Sequence, residues 1–328
     1  MDETTEKELI VLFAPRSDDE YYRTQRADIV RFQIDYARAI SAHDDVLVFT
    51  DAASFGDYTA SLGESRVVIA PQEDIWARDV GLASVLRPVL FRYTAAGQGG
   101  GANGAADARY VQSALRRVID EAGLSYAASS DFNDGGNLVD DDNERAIASR
   151  KFLRDNNLTE AEARQRFEQL GFASAAFIEA DEQGGLEHAD GVVAFIAANT
   201  VVINDYPDDR DYAEQLRADL TRAFPDLTIH TLVAPHTERD TYDDRFGSAC
   251  GLYTNMLVTP LRIYLPQFGL PEDRIALSAL RGWTNKQVIG VPSAGVCGMG
   301  GGVRCLSWQL RGENARRLKD WARSQRSN

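Results

Sequence analysis

Four short segments, spread along the chain, hold the side chains that could do covalent chemistry. They are Glu73-Asp74-Ile75-Trp76-Ala77-Arg78-Asp79, Asp134-Gly135-Gly136-Asn137, His188-Ala189-Asp190 and Gly300-Gly301-Gly302-Val303-Arg304-Cys305. Taken singly, each has an ordinary explanation. Asp79 reads as a loop carboxylate, His188 as a satisfied surface histidine, and Cys305 as a small core residue on a strand, where most free cysteines sit. Metal ligation is weakly supported, because Cys297 and Cys305 lie eight residues apart with no paired His. Taken together, a Cys, a His and two carboxylates are the parts for nucleophilic attack on a cationic planar group. A thiolate attacks, an imidazole delivers and removes protons, and two Asp forks hold a guanidinium by its paired N–H groups.

The elements that must position these residues alternate between short β-rich runs and amphipathic helical stretches. Strands are expected at Leu9 to Ala14 and Val46 to Phe49. Between them, Ile29, Phe32, Tyr36 and Ile40 recur at helical spacing behind a start signal at Ser17-Asp18-Asp19-Glu20. A second unit runs from a helical patch near Asp51 to Leu62, through Arg66 to Ala70, into a hairpin-like Leu82 to Tyr93. Val111, Leu115, Val118 and Ile119 mark the next helix, and a hairpin joins Asn137 to Val139 with Ala146 to Ser149. Thr159 caps a helix to Leu170. Strands follow at Val192 to Ile196, Thr200 to Ile203, Leu227 to Val233, Leu252 to Val258, Arg262 to Leu265, Val288 to Val291 and Val303 to Gln309. Helices are expected over Asp211 to Ala223, Glu272 to Leu280 and Glu313 to Arg323. No Pro/Ser-rich linker interrupts the pattern, so one α/β domain over residues 1–328, assembled from similar units, is expected.

With 328 residues and 44% apolar composition the chain can bury a full core. Its 35 Lys and Arg against 50 Asp and Glu leave a net charge of −15, with the cations scattered and only four of them Lys. A phosphate backbone repels such a surface, so nucleic acid is excluded as a partner class and a cationic small molecule is favoured. Three cysteines are too few for a disulfide framework, which points to a reducing, cytoplasmic setting. Residues 1–6 are acidic and polar where a signal peptide is basic and then apolar, and no stretch approaches the length of a membrane span. The run Gly99-x-Gly101-x-x-Gly104 formally matches a dinucleotide fingerprint, but helical periodicity starts only several residues later, so it reads as a loop that rims a pocket.

The four segments, in this order, resemble the agmatine deiminase and bacterial peptidylarginine deiminase family of the guanidine-modifying pentein superfamily. The resemblance covers nearly the whole chain. It implies an α/β propeller, with pseudo-fivefold ββαβ-type units around a central active site. Trp76-Ala77-Arg78-Asp79 is similar to the family's Trp-x-Arg-Asp motif, Asp134-Gly135-Gly136-Asn137 to its acidic-Gly-Gly segment, and His188-x-Asp190 to its His-x-Asp motif. Cys305 falls at the nucleophile position. What the resemblance implies is Cys305 as nucleophile, His188 as acid and base, and Asp79 and Asp190 as guanidinium carboxylates. Trp76, Arg78, Asp134, Asn137, Asn255 and Arg304 are expected to contact substrate. Arg304 would meet a substrate carboxylate or stabilise the thiolate; its bland reading is a strand neighbour that faces away from Cys305. No metal or organic cofactor is implied, and a homodimer is expected from the family alone.

Departures bear on the substrate. The Pro-Ala-Glu-Trp segment of agmatine-specific members is absent, and their Phe-Asn-Ala-Trp-Gly stretch reads Phe91-Arg92-Tyr93-Thr94-Ala95-Ala96-Gly97 here. Arg304 stands where His is usual, Gly302 where Asn is common, and Gly191 follows Asp190 where Asn is usual. Deimination of a guanidino compound is therefore better supported than agmatine in particular. Free or peptidyl arginine, amidino transfer, and a pentein that binds without turnover are the alternatives.

Overall fold

The structure, a computed structural model, describes residues 7–181, 186–235 and 241–326; the acidic segment 1–6 lies outside them. The first strand, β1 (Leu9–Phe13), is an unbroken apolar run buried at every position, as expected of a strand covered on both faces. It leads to α1 (Arg26–Ser41), whose apolar stripe is buried, and to β2 (Asp45–Thr50), which lies parallel to β1 with Leu9 opposite Asp45. Next come α2 (Phe55–Leu62), β3 (Val67–Ile69), α3 (Ala77–Val80), β4 (Val89–Arg92), α4 (Gly101–Glu121) and β5 (Ala127–Phe132). The chain continues through β6 (Val139–Asp140), β7 (Arg145–Ser149), α5 (Lys151–Asn156), α6 (Glu160–Gln169) and β8 (Ser174–Ile178), then β9 (Val193–Ala197), β10 (Thr200–Asn204), α7 (Arg210–Ala223) and β11 (Thr228–Leu232). It ends with β12 (Leu257–Val258), β13 (Arg262–Gln267), α8 (Glu272–Trp283), β14 (Gln287–Pro292), β15 (Trp308–Leu310) and α9 (Gly312–Arg326).

These strands form five small sheets among the described residues, and one plan recurs in all of them. An antiparallel contact opens the unit, a helical crossover follows, and the next strand returns parallel. β6, β7 and β8 do this, as do β9, β10 and β11, and β12, β13 and β14. In the unit of β4 and β5 the antiparallel contact shrinks to a single bridge between Ala83 and Val89. In the first unit the opening strand comes from the far end of the chain: β15 pairs antiparallel with β1, Leu310 opposite Leu9. The two ends of the sequence are thereby joined in one sheet. Trp308 fills the join, fully buried with its edge on Phe13.

Each unit is entered through a connecting loop that ends just before its antiparallel strand, one of them carrying the short helix α3, and the chemistry-bearing residues lie on these five loops. Asp79 precedes the bridge at Ala83, Asn137 precedes β6, Asp190 precedes β9, Asn255 precedes β12, and Cys305 precedes β15. Hydrogen bonds link the loops in a closed circuit. Arg78 N donates to Cys305 O (3.1 Å), Gly136 N to Asp79 Oδ1 (3.0 Å), Ala189 N to Asn137 Oδ1 (3.2 Å), Asn255 Nδ2 to Asp190 O (3.4 Å) and Arg304 N to Asn255 O (3.2 Å). Pseudo-fivefold repetition of one unit thus brings residues from all along the sequence to one centre.

Several sequence expectations are corrected. Helix α1 starts at Arg26, because Ser17 is engaged elsewhere: its N and Oγ both donate to Asp51. Helix α4 starts at Gly101, inside the glycine run, after Gly99 and Gly100 turn the chain with φ of 84° and 73°. The strand expected over Val303 to Gln309 is confined to Trp308–Leu310, since a turn stitched by Leu306 N to Gly302 O (3.2 Å) precedes it. Cys305 and Arg304 are therefore turn residues. Strands β5 and β8 and helix α5 were not anticipated. Cys250 and Cys297 form a disulfide, against the expectation of reduced thiols, and leave Cys305 as the free cysteine. Among the described residues no helix is long and apolar enough to cross a membrane.

Candidate active site

Four of the five entry loops border a cavity of about 320 Å³, lined by Trp76, Asp79, His188, Asp190, Asn255 and Cys305 among others. Cys305 is 7% exposed. Its Sγ lies 3.1 Å from Asn255 Nδ2 and 3.8 Å from Asp190 Oδ2. Asn255 also accepts from Gly302 N (3.1 Å), so one side chain ties the turn and borders the sulfur.

His188 is set by carboxylates on both ring nitrogens: Nε2 is 2.9 Å from Asp134 Oδ2 and Nδ1 is 3.6 Å from Asp79 Oδ1. Asp134 is itself fixed by Thr94, whose N and Oγ1 both donate to it at 2.8 Å. Gly136 shows how closely the groups converge. A Cβ there would lie 2.6 Å from His188 Nδ1, 2.7 Å from Asp79 Oδ1 and 3.3 Å from Asp190 Oδ2, so only glycine fits between them. Gly301 plays the same part beneath Trp76, whose ring a Cβ would meet at 2.2 Å.

The electrostatics follow from crowding three carboxylates in a buried space. Burial pushes the Asp79 carboxyl up to about 7, against the lowering effect of His188, with Asp134 and Asp190 adding to the rise. Burial alone would lower His188, but Asp79 and the hydrogen-bonded Asp134 hold it up at about 9, so the ring carries its proton at neutral pH. Burial also opposes ionisation of Asp134, yet the bond from His188 and its charge bring that carboxyl below its ordinary value. The Cys305 thiol is pushed well up by burial, then by Asp190 and Asp79, so it is protonated while the cavity holds no cation.

Of the ten residues expected to act, six line the cavity. Arg78, Asp134, Asn137 and Arg304, expected at the substrate, are corrected: none of them lines it. The guanidinium of Arg78 turns away, donating to Gln309 Oε1 (2.6 Å), and with Arg304 it borders a second cavity of about 110 Å³ behind the site. Asn137 Oδ1 is occupied by Ser149 N and Ala189 N. Asp134 holds His188. Arg304 reaches neither thiol nor substrate space and instead donates to Asp190.

Sequence reasoning missed most of the cavity's outer lining. Tyr22 and Gln98 donate to Asp74 at 2.7 and 2.9 Å, and these three line the cavity with Asp19, Glu73, Asp181 and Glu187. Arg245 is the one cation besides His188 among the described lining residues, and it is held by Asp243. Gly97 and Gln98 of the glycine run do rim the cavity, as expected. Other rim contacts span long stretches of sequence, 52 positions between Tyr22 and Asp74 and 222 between Tyr21 and Asp243, and no local motif signals that.

The model of the Porphyromonas-type peptidyl-arginine deiminase family matches residues 1–310. Among solved structures, C. jejuni agmatine deiminase superposes with a TM-score of 0.76 at 16% identity, covering 95% of each chain. Enterococcus faecalis agmatine deiminase gives 0.74 at 17% identity, covering 94% of each. DDAH from Pseudomonas aeruginosa, complexed with citrulline, gives 0.53 at 13%, covering 92% of this chain and 99% of that one. At these identities the likeness is one of fold, and that fold is the mixed α/β pentein fold.

Proposed function

This chain belongs to the Porphyromonas-type peptidyl-arginine deiminase family, and we propose that it hydrolyses a small guanidino compound to a ureido compound and ammonia through a thiouronium intermediate on Cys305. The observation that carries this reading is the convergence of one buried free thiol, a protonated imidazole and the carboxylates of Asp79 and Asp190 on a single cavity.

A guanidinium is a poor electrophile because its charge is delocalised, so it must be both held and polarised. Asp79 and Asp190 grip its N–H groups, and the positive charge arriving beside Cys305 draws the thiol's proton off to water. The thiolate attacks the guanidinium carbon. His188 gives its proton to the departing nitrogen, which leaves as ammonia, and an S-alkylthiouronium remains. His188 then takes a proton from water as the oxygen attacks; the new hydroxyl's remaining proton passes to the sulfur as the C–S bond breaks, which returns the Cys305 thiol with the ureido product.

Agmatine is the first candidate substrate, with N-carbamoylputrescine as product. Its support is the lining: five carboxylates beyond Asp79 and Asp190, against one arginine already paired with Asp243, suit a distal ammonium better than a distal carboxylate. The test is ammonia release from agmatine, free arginine and blocked peptidyl-arginine, with Cys305→Ser alongside. Release from agmatine above the others, abolished in the variant, is expected. No ammonia from any guanidine would overturn the hydrolase, and preference for free arginine would overturn the substrate.

A further inference from the structure

Arg304 is the departure nearest the nucleophile. Because residues 302–307 form a turn, its side chain leaves the backbone toward the far side of the site. Nη1 donates to Asp190 Oδ2 at 2.6 Å and Nη2 to the carbonyl of Leu138 at 2.7 Å. The side chain is 13% exposed and that of Asp190 2%. One guanidinium thus bolts together three entry loops, those of Leu138, Asp190 and Cys305. The oxygen it grips is also the one that lies 3.8 Å from Cys305 Sγ.

Charged groups near Cys305 come from four of the five loops, and the remaining one supplies the uncharged Asn255. Asp79 and Asp190 disfavour a thiolate, and His188, Arg78 and Arg304 favour one; Asp134 acts through His188. With a guanidinium held between Asp79 and Asp190, the carboxylates of Asp79, Asp134 and Asp190 stand against Arg78, Arg304 and the His188 imidazolium, with Asp140 behind the two arginines. The substrate's own charge adds to the cations that favour a thiolate on Cys305. Without Arg304 one fixed cation fewer stands near Cys305, and the buried Asp190 loses the cation hydrogen-bonded to it.

We propose that Arg304 is a positioning residue for this reaction: it aims Asp190 at the guanidinium from behind, and it supplies the fixed positive charge against which Cys305 becomes the attacking thiolate. A direct contact with a substrate carboxylate is not its role, since it does not line the cavity and both its terminal nitrogens are engaged. The proposal rests on the deiminase reading.

Arg304→Met and Arg304→Lys separate charge from geometry. Two readouts are needed: the pH dependence of Cys305 alkylation by iodoacetamide in the substrate-free protein, and kcat and KM for the best guanidine of the panel. In Arg304→Met the alkylation midpoint is expected to move up by about one pH unit or more, because an opposite charge at this range is worth about that much. Its kcat/KM falls by about thirtyfold or more, with KM raised. Arg304→Lys keeps the alkylation midpoint, because the charge remains. It loses about tenfold in kcat/KM, because one ammonium cannot hold both Asp190 and Leu138 in the same geometry.

An unchanged midpoint together with an unchanged kcat/KM in Arg304→Met overturns the proposal. If that variant does not fold, Arg304→Lys decides. Wild-type kcat/KM there contradicts the positioning role, and a midpoint raised by a full unit contradicts the charge role. The alkylation arm uses no substrate. Failure of the wild-type protein to release ammonia would therefore count against the deiminase reading and leave the charge test standing.

Discussion

In the proposed reaction His188 enters already protonated, and this sets the shape of the expected pH response. Its proton is held to about 9 by Asp79 and Asp134, and it must be present for ammonia to leave. Asp79 must lose its proton to hold a guanidinium, and burial delays that loss to about 7. The sign is then fixed: kcat/KM rises with pH through about 7 and falls through about 9, a bell whose limbs belong to the free enzyme. Initial rates at low substrate, from pH 5.5 to 10.5, check this. A flat profile across pH 6 to 8 would contradict the assignment of Asp79. At this scale the sequence was legible where chemistry restricts residue type. A thiol, an imidazole and carboxylates were identifiable as parts wherever they met. Which of them face substrate was not, because Arg78, Asp134, Asn137 and Arg304 differ from the others only in which side of the loop circuit their side chains take.

The elements act through the short loops that open each unit, and those loops have no room to spare. Gly136 sits between His188, Asp79 and Asp190, and an added methyl has no outlet. Gly136→Ala is expected to lower stability by about 1–3 kcal/mol, as overpacking does, and to cut kcat/KM by about a hundredfold, because the displaced atoms are the reacting groups. Gly56 lies in α2 with nothing within 4 Å of its Cβ position and no positive φ, so Gly56→Ala is expected to be neutral or to stabilise by up to about 1 kcal/mol. Thermal unfolding and activity of the pair decide; an active Gly136→Ala enzyme would place the reacting groups elsewhere.

Elements were legible in proportion to their periodicity. Helix α6 was found with its cap because Thr159 and Glu162 complete a reciprocal capping box, and α7 and α8 because their buried faces repeat. Strand β5, Ala127–Phe132, was missed because it is polar and largely exposed, and α5 because it is six residues long. The Cys250–Cys297 bond spans 47 residues and joins two loops whose neighbours, Ser248, Ala249, Met299 and Gly300, line the cavity; spacing alone gave no sign of it.

Over the whole molecule, pairing of β15 with β1 closes the ring of units and carries Cys305 into a site whose other residues come from the middle of the chain. The charge of −15 acquires a direction there, since the cavity collects carboxylates while most surface cations are spent in ion pairs such as Arg316 with Glu313 and Asp320. A dicationic substrate is then drawn in electrostatically, and salt screens that attraction. KM for agmatine is expected to rise by roughly threefold or more between 0.05 and 0.5 M NaCl, whereas a guanidine with an uncharged tail responds less. Equal responses of the two would show that the outer carboxylates do not read the distal end. Repetition of similar units was foreseeable from the β-α-β rhythm and their fivefold number from the family resemblance, but closure through β15 was not, because a strand's pattern does not say which distant strand it pairs with.

The central claim, covalent attack by Cys305 on a guanidinium carbon, is tested most directly by acid-quenching the enzyme during turnover and mapping its peptides by mass spectrometry. The account predicts that the peptide containing Cys305 gains the mass of the substrate less one ammonia, and that both adduct and turnover vanish in Cys305→Ser. Turnover in Cys305→Ser, or an adduct on any other residue, would contradict it.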